Sequence, residues 1–332
     1  MPKILTMGEI MLRLSTLDNQ RLSESNQLAV HFGGAEANTA ISLANFGHQV
    51  KFASKVPDHA LGTGAKQHLL KYGVDITNLL VGGDRLGIYY LETGAGLRSS
   101  SVIYDRDYSS FAKMTELEWD LDELFHNVDL FHLSGITPAI SPQWEKWIVY
   151  LLKEAKKRQI MVSLDINYRG KLWSVNACSR YIQTIAKYVD WCSAGRLDAF
   201  NFFKIPEKSG EDLSYYYSKM RGMYPNIKVF YSTTREVLTT NHHRLQGNLF
   251  MNNAFYQSEV IDMSNIVDRV GGGDAFTAGI IHCLRTEMSP QRTIDFATYA
   301  SALKHSVEGD CNQFSAEEVE QYLNKTRGDV ER

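Results

Sequence analysis

The stretch that decides the fold is Val270-Gly271-Gly272-Gly273-Asp274-Ala275-Phe276-Thr277-Ala278-Gly279. Three consecutive glycines free the backbone to turn its N–H groups toward one point, which makes a nest for an anion. From Asp274 onward, Phe276, Ile280 and Leu284 recur at helical spacing. The nest is therefore expected at a helix N-terminus, where the helix dipole also favours negative charge. This pattern predicts a phosphate-binding turn.

Asp274 stands where a carboxylate can take a proton from a hydroxyl while neighbouring N–H groups hold a phosphate. The alternative is an ordinary glycine turn in which Asp274 only caps the helix. Neither Gly-x-x-x-x-Gly-Lys-Ser/Thr nor Gly-x-Gly-x-x-Gly occurs at a strand–helix junction, which disfavours a P-loop and a dinucleotide site.

Outward from this turn, short apolar runs alternate with longer segments of helical period. Such runs predict strands buried on both faces, as in a parallel sheet covered by helices. The clearest helix is predicted at residues 142–158, where Ser141 can cap the first turn and Pro142 fits it. A second helix begins after Ser289 and reaches about residue 306. We expect an α/β fold with a mostly parallel sheet and helices on both faces. The strand-like runs lie at residues 4–7, 50–53, 130–133, 160–164 and 229–231.

Two stretches interrupt this alternation, at about residues 10–32 and 87–110. They contain strand-like segments but no convincing helix, which predicts a small β-sheet outside the main sheet and a lid over a site. No repeat, low-complexity tract or linker divides the chain, so we predict a single domain over residues 1–332. An exposed β lid also offers strand edges through which copies of the chain could pair, and a homo-oligomer is one expectation.

Composition excludes several classes of protein. Lys and Arg number 35 against 38 Asp and Glu, a net charge of −3, which excludes a strongly basic nucleic-acid binder and suggests no membrane partner. The 4 cysteines form no Cys-x-x-Cys pair, which disfavours a zinc ribbon or a disulfide framework. The pair His242-His243 lacks companion ligands and is expected in a solvated turn. With no run of about 18 apolar residues and no signal-peptide pattern, we expect a soluble, cytoplasmic protein.

A resemblance adds to this reading. Residues 271–276 resemble the C-terminal signature of the ribokinase-like (PfkB) carbohydrate kinases, and Gly-Gly-Ala-Glu-Ala-Asn at 33–38 is similar to the N-terminal one. Segments 57–62 and 72–75 are similar to the family's early region, and the parts follow the family's order over about residues 1–315. The resemblance implies a Rossmann-like core with a β lid. It also implies ATP and Mg²⁺ (or another divalent ion) as cofactors, with phosphoryl transfer to a sugar.

Within the family the closest likeness is to the kinases of 2-keto-3-deoxygluconate, a sugar acid. Tyr89, Tyr104-Asp105-Arg106 and residues 165–173 carry it. The planar guanidinium groups of Arg106 and Arg169 suit a carboxylate, which a neutral sugar lacks, and Arg169 follows a strand end, where open α/β sheets bind ligands. The alternatives are a surface position for Arg169, an Asp105 or Asp107 partner for Arg106, and lid packing for the tyrosines. The substrate contacts implied are Gly33, Gly34, Asn38, Tyr89, Tyr104, Arg106, Arg169 and Asp274.

The resemblance also implies catalytic and nucleotide-binding residues. The catalytic residues implied are Asp274 as the base and Gly271, Gly272 and Gly273 as the anion nest. Residues 232–236 resemble the family's nucleotide loop, the alternative being a polar hairpin leading into 237–239. The nucleotide contacts implied are Asn167, Ser232, Thr234, Arg235, Gly271, Gly273, Lys304 and Asn312.

One departure from the family pattern concerns the metal. The family's Asn-x-x-Glu motif, which handles the divalent ion and phosphate, is replaced here by Gly195 and Asp198, so the metal ligands stay unassigned. We predict a kinase of 2-keto-3-deoxygluconate that acts on its terminal hydroxyl. The alternatives are a kinase of a neutral sugar such as fructose or ribose, a catalytically silent sugar-binding protein and, with least support, an NAD oxidoreductase.

Overall fold

The computed structural model describes residues 3–324, and within them the chain forms two sheets and ten α-helices. Residues 1–2 and 325–332 of the predicted domain lie outside the described part. The strands are β1 (Lys3–Met7), β2 (Met11–Thr16), β3 (Leu28–Gly33), β4 (Val50–Val56), β5 (Leu79–Val81), β6 (Ile88–Glu92), β7 (Ser101–Asp105), β8 (Val128–Ser134), β9 (Met161–Asp165), β10 (Trp191–Ser193), β11 (Val229–Thr239), β12 (His242–Met251), β13 (Ala254–Gln257) and β14 (Ile261–Met263). The helices are α1 (Ala35–Asn45), α2 (Ala60–Lys71), α3 (Leu121–Leu124), α4 (Pro142–Lys157), α5 (Val175–Ile185), α6 (Arg196–Asn201), α7 (Leu213–Met223), α8 (Gly272–Arg285), α9 (Pro290–Lys304) and α10 (Ala316–Asn324).

The main sheet has the order β13-β12-β11-β10-β9-β8-β1-β4-β5, with β14 added beside β12. From β11 to β5 every neighbouring pair is parallel, and the antiparallel strands are confined to the β11–β14 edge. Parallel pairing aligns the carboxyl ends of the central strands along one side of the sheet. In open α/β sheets this is the side on which ligands bind. The mostly parallel α/β sheet predicted from the apolar runs is confirmed.

Helices cover both faces of this sheet, because successive strand residues point to opposite sides and enter different apolar cores. Leu5 of β1 belongs to a core that contains Trp144 of α4. Its neighbour Ile4 belongs to the other core, which contains Phe276 of α8. The helix predicted at 142–158 is observed as α4, and the Ser141 hydroxyl accepts a hydrogen bond from the Trp144 N–H (3.3 Å) at its start.

The second sheet is the predicted lid, with the strand order β3-β2-β6-β7. Its strands fall within or beside the two stretches that interrupt the α/β alternation. His31, Arg13, Tyr89 and Tyr104 are successive register partners across the four strands. Register partners point to the same face of a sheet, so these four side chains form one row across the lid. Arg13 and Tyr89 are buried, which places this row against the main domain.

The edge beyond β10 differs from the expectation. Residues 232–236 do not form a loop but continue β11, which pairs with β12 from Val229 to Thr239 in one antiparallel hairpin. The β-branched residues of this segment favour the extended conformation, and β12 satisfies its backbone groups. His243 is also not in a solvated turn, since it is fully buried in β12. No helix within residues 3–324 is long and apolar enough to cross a membrane.

The crossing of α8 and α9 generates a stability prediction. A Cβ on Gly279 would lie 2.7 Å from the Ala297 Cα, closer than side chains tolerate. Helix propensity alone favours Ala over Gly by roughly 0.5–1 kcal/mol. We expect the backbone contact to outweigh this, so Gly279→Ala should lower the free energy of unfolding by about 1–3 kcal/mol, measured by urea denaturation.

Gly222→Ala in α7 is the matched control, because a Cβ there would meet no described atom within 4 Å. This variant should gain roughly 0.5–1 kcal/mol from helix propensity. If Gly279→Ala were stabilised as much as the control, the two helices could separate at no cost, and the packing argument would be wrong.

Candidate active site

The two glycine signatures meet at one point above the carboxyl ends of the central strands. Asp274 lies in the first turn of α8, and its carboxylate accepts a hydrogen bond from the Asn38 side-chain amide of α1 (2.7 Å). The side-chain oxygen Oδ1 of Asn38 accepts from the Gly34 N–H (3.3 Å), and Gly34 is the residue that starts α1 after the lid strand β3. Residues 236 positions apart in the sequence are thus joined. Asn38 therefore does more than cap its own helix.

Asp274 has the electrostatic surroundings of a general base. Burial raises its pKa to about 7, and repulsion from Asp165 and Glu36 acts in the same direction. The hydrogen bond from Asn38 and the charge of Arg169 act against this rise. Acid–base catalysis is most effective when the pKa lies close to the working pH. The carboxylate of Asp274 can thus accept a proton near neutral pH, which a solvated helix cap with an ordinary pKa could not do efficiently.

The predicted anion nest is present at the start of α8. Gly271 has φ 79°, a left-handed conformation that favours glycine, and it packs directly against the Asp310 carbonyl. Gly272 packs against the His305 ring. Gly273 is exposed, and its Cα faces open space within the described residues. Because first-turn amides have no intrahelical acceptor, the nest offers N–H donors on its open side.

A buried ion-pair cluster, which sequence reasoning missed, holds the lid next to the nest. The guanidinium of Arg13 on β2 donates to Asp310 (2.7 Å) and also to Asp268. The Tyr89 hydroxyl donates to the other oxygen of Asp310. Asp268 and Asp310 belong to the loops before α8 and after α9. A lone arginine in the apolar strand sequence Met-Leu-Arg-Leu was the available signal, since a buried charge requires a partner.

The lid tyrosines have different environments. Tyr89 is buried, and its hydroxyl already has an acceptor in Asp310. Tyr104 is 41% exposed, its ring centroid lies 5.9 Å from that of Tyr89, and the Lys171 ammonium lies 5.8 Å from its ring. Gly33 at the end of β3 packs against the Asp310 carboxylate. Tyr104 is therefore the lid tyrosine with a free face for a ligand, while Tyr89 fixes Asp310.

Arg106 is buried and bound to Glu9, rather than to Asp105 or Asp107. Its Nε donates to the Glu9 carboxylate at 2.9 Å, and Nη2 donates to the same oxygen. Glu9 follows β1 and also accepts a hydrogen bond from Ser109. One edge of the Arg106 guanidinium is thus occupied by Glu9, whose negative charge balances that of the arginine. Sequence reasoning missed Glu9, because a glutamate after a glycine at a strand end carries no specific signal.

Arg169 has a contrasting environment. It is exposed after the carboxyl end of β9, and within residues 3–324 its side chain makes no hydrogen bond or ion pair. It is nevertheless close enough to act on two carboxyl groups, since its charge opposes the pKa rise of Asp165 and of Asp274. The available guanidinium next to the candidate base is therefore that of Arg169.

Two carboxyl groups lie at the ends of neighbouring strands, where they could help to bind a divalent ion. Asp165 ends β9, and Asp198 lies in the first turn of α6 after the neighbouring strand β10, where it accepts from the Gly195 N–H (2.6 Å). Burial raises the pKa of each to about 6, and Asp165 adds to the rise at Asp198. Within residues 3–324 no group of three or more His, Cys, Asp and Glu side chains is arranged to hold a metal ion. The residues fit an ion held mainly by phosphate and water, with one or two carboxylates.

The predicted nucleotide contacts divide into two groups. Asn167 (φ 39°), Ser232, Thr234 and Arg235 lie in the half-buried or exposed part of the structure between β9 and β11. Ser232 hydrogen-bonds Tyr217 (2.8 Å), Thr234 accepts from Asn248 (3.0 Å), and Asn167 donates to Asp165. These bonds engage Asn167, Ser232 and Thr234 inside the protein, while the Arg235 side chain makes no hydrogen bond or ion pair within residues 3–324.

Lys304 and Asn312 belong to the second group, and both are fully buried. The Lys304 ammonium donates to the carbonyl oxygens of Asp268 (3.0 Å) and Val307 (3.3 Å). The Asn312 side chain bonds the backbone of Phe314. In this structure both side chains support the loops around the nest, and neither is accessible to a nucleotide.

Comparisons with known proteins identify the family to which this fold belongs. The model of a family described as pfkB family carbohydrate kinase matches residues 1–317. The crystal structure of a PfkB family carbohydrate kinase from Listeria grayi is 42% identical, with a TM-score of 0.94, covering 97% of this chain and 100% of that one. The structure of 2-dehydro-3-deoxygluconokinase from Thermotoga maritima is 34% identical, with a TM-score of 0.94 and coverage of 98% and 100%.

A curated relative, 2-dehydro-3-deoxygalactonokinase of Haloferax volcanii, is 28% identical over 323 residues, which is 97% of this chain and 96% of that protein. The family model thus spans nearly the whole chain, from the first strand of the main sheet through the nest and α9. The fold, the lid and the paired glycine signatures all agree with it. This chain belongs to the pfkB family of carbohydrate kinases.

Proposed function

We propose that this sugar kinase transfers the γ-phosphoryl group of ATP to the terminal hydroxyl of 2-keto-3-deoxygluconate (2-dehydro-3-deoxygluconate). The observation that carries the proposal is the unpaired guanidinium of Arg169 beside Asp274, at the carboxyl ends of the strands. An arginine left without a carboxylate partner is suited to a carboxylate of the substrate. The names of the relatives from Thermotoga maritima and Haloferax volcanii support a sugar acid of this class.

In the proposed reaction, Asp274 accepts the proton of the attacking hydroxyl. Asn38 fixes the orientation of its carboxylate through the 2.7 Å hydrogen bond. The open amides at the start of α8 stabilise the negative charge that gathers on the transferred phosphoryl group. The lid, held by Arg13, excludes water, which would otherwise compete as the nucleophile. A divalent ion, when bound, would screen the nucleotide phosphates, and Asp165 and Asp198 are the residues placed to assist it.

Of the two arginines predicted to bind the substrate carboxylate, Arg169 takes the larger share in this proposal. Arg106 lies at the lid and can bind the substrate only through the guanidinium N–H groups that do not donate to Glu9. Because Glu9 already balances its charge, Arg106 attracts a second carboxylate less strongly than a free arginine would. A neutral sugar such as fructose is the alternative substrate. It has no carboxylate for Arg169 to bind.

We also propose that copies of the chain pair through the lid. The face opposite Arg13 and Tyr89 exposes Val30 of β3 and Ile103 of β7, which are 59% and 53% accessible. Both belong to the edge strands of the lid sheet, and exposed edges with apolar side chains are surfaces for strand pairing. Light scattering on the purified chain would decide between a monomer and a pair.

The pKa of Asp274 leads to a prediction about chemistry. Asp274→Asn should lower kcat by roughly 10²–10⁴-fold while sugar binding persists, because the amide keeps the shape but cannot accept the proton. In the unsubstituted protein the rate should fall as the pH drops below about 7, since the protonated carboxyl is no longer a base. Steady-state kinetics from pH 5 to 9 and sugar titration calorimetry measure both effects.

Asp212→Asn is the matched control, because Asp212 caps α7 and Asn also serves as a cap. It should leave turnover unchanged.

Asp274→Asn should also raise the melting temperature more at pH 8 than at pH 4. A carboxyl with a raised pKa costs stability progressively as the pH climbs from about 4 toward 7, and the amide removes that cost. Normal turnover by folded Asp274→Asn would leave the residue as a helix cap only.

Substrate choice gives a second prediction. A carboxylate bound by a charged donor contributes about 1.5–3 kcal/mol per hydrogen bond, so kcat/KM for 2-keto-3-deoxygluconate should exceed that for fructose by at least on the order of 10²-fold. Arg169→Gln should remove most of this ratio by lowering the value for the acid alone. Arg169→Lys should keep part of it, since an ammonium cannot reproduce the planar guanidinium. A coupled ADP-release assay at fixed salt measures the ratios.

Arg180→Gln, at an exposed position of α5, removes the same charge away from the site and should keep the preference. The panel should include 2-keto-3-deoxygalactonate, because one relative carries that substrate in its name. Equal turnover of fructose by the unsubstituted enzyme would refute the sugar acid and leave a carbohydrate kinase of another substrate.

The Gly195/Asp198 departure leads to a prediction about the divalent ion. If Asp198 assists the ion, Asp198→Asn should raise the Mg²⁺ concentration for half-maximal rate several-fold, while the amide still accepts the Gly195 N–H. The Mg²⁺ dependence of ADP binding, followed by calorimetry, is the second readout. An unchanged Mg²⁺ curve would show that Asp198 serves α6 as a cap and has no part in ion binding.

A further inference from the structure

Arg269 is fixed at the edge of the anion nest by its backbone. The loop before α8 is tied to α9, because the His305 carbonyl accepts from the N–H groups of Val267 (2.9 Å) and Asp268 (3.3 Å). On the other side, the Ile266 N–H donates to the Asn241 carbonyl at the tip of the β11–β12 hairpin (2.9 Å). Arg269 thus emerges between the hairpin and α9, two residues before Gly271, and its side chain is exposed.

Arg235 approaches the same point from the hairpin. In the antiparallel register Arg235 is opposite Leu245 and Val237 is opposite His243, so Arg235 and His243 lie on one face of the hairpin. This face packs on α9, since Gly247, two positions beyond Leu245, is in contact with Thr298 and Ile294. Arg235, Arg269, His243 and His305 therefore form a cluster beside the nest, since the charge of Arg235 acts on both histidines and the His305 ring packs against Gly272. The two arginines carry its positive charge.

The two arginines of this cluster form no ion pair with an acidic side chain within residues 3–324. Neither Arg235 nor Arg269 makes a side-chain hydrogen bond or an ion pair there. Of the carboxylates in this region, Asp268 is bound by Arg13 and Glu236 by Arg244, while Glu308, which lines a cavity together with Arg269, forms no ion pair within the described chain. His243 is fully buried, and its ring nitrogens have no hydrogen-bond partner in the described part of the chain.

The two arginines also repel each other. Partial burial and the charge of Arg269 lower the pKa of Arg235, and burial followed by the charges of both arginines lowers the pKa of His243. Like charges held together without a counter-charge cost stability in the free protein. Such an arrangement gains energy when a multiply charged anion enters between the groups.

We propose that Arg235 and Arg269 form a two-arginine clamp that binds the phosphate groups of the nucleotide at the open side of the glycine nest. The clamp rests on the proposed kinase function and adds Arg269 to it as a nucleotide-binding residue. The occupant is a nucleoside di- or triphosphate, recognised by its phosphates and not by its base.

Calorimetry of ADP and of adenosine with the full chain, without sugar, tests the clamp. Arg235→Gln and Arg269→Gln should each weaken ADP binding on the order of tenfold, and the double variant by more than either, because each removes a charge-assisted contact to phosphate. Adenosine binding should change less than twofold. Raising the salt concentration should weaken ADP binding to the unsubstituted protein more than to the double variant.

Arg244→Gln on β12 is the matched control, since Arg244 is exposed on the same hairpin and paired with Glu236 and Asp262. It should leave both affinities unchanged. A structural role for the arginines predicts lower melting temperatures for the glutamine variants, whereas the clamp predicts unchanged or higher ones, because the repulsion is removed.

Two results would overturn the clamp. Unchanged ADP affinity in the double variant would remove it while leaving the proposed kinase function intact. Equal losses for ADP and adenosine would assign the arginines to the base or the ribose. If the unsubstituted protein bound neither ligand at millimolar concentration, the clamp and the proposed function would both fail.

Discussion

The ion pairs of Arg13 determine how the parts of this molecule meet. One guanidinium on the lid strand β2 holds Asp268 before the glycine nest and Asp310 after α9, and all three side chains are buried. Removing one partner of such a cluster leaves a buried charge uncompensated, at a cost of about 3–5 kcal/mol. The position of the lid, the path of the loop through Asp268 and the backbone at Gly271, which packs on the Asp310 carbonyl, therefore depend on one another.

The chemistry of the site follows from a second balance of charge. Glu36, Asp165 and Asp274 lie close enough together that the two others help to raise the pKa of Asp274, while Arg169 lowers it. Glu36 is held by Ser134 and Thr137, so it cannot turn away from the site. A substrate carboxylate bound to Arg169 would reduce the opposing effect and raise the pKa of Asp274 further. In the proposed reaction, substrate binding and proton acceptance would thus be coupled through Arg169.

Local patterns were sufficient for the fold and for the centre of the site. The glycine nest and α4 with its Ser141 cap depend on contacts a few residues apart, and the strand character of the lid segments is visible in their local composition, which periodicity and turn chemistry reveal. The partners of Arg13 and Arg106 could not be found in this way, because they are 255, 297 and 97 residues away. For the same reason the burial of Lys304 and Asn312 and the full length of β11 were missed. Both depend on neighbours that only the folded chain supplies.

The weakened Asn-x-x-Glu motif raised the alternative of a sugar-binding protein without catalysis, and the environment of Asp274 argues against it. A binding protein has no use for a carboxyl kept near pKa 7 by burial and like charges, because that arrangement costs stability progressively from about pH 4 to pH 7 and keeps the full cost above that. Nor does it need a left-handed Gly271 at a nest whose N–H donors remain open. Costs of this kind persist where the chemistry needs them. Asp198 still lies beside Asp165, as a shorter carboxylate than the glutamate it replaces. On the proposed roles, the site retains the base and the anion nest while the support for the ion differs, which is the arrangement expected of an active kinase with altered phosphate handling.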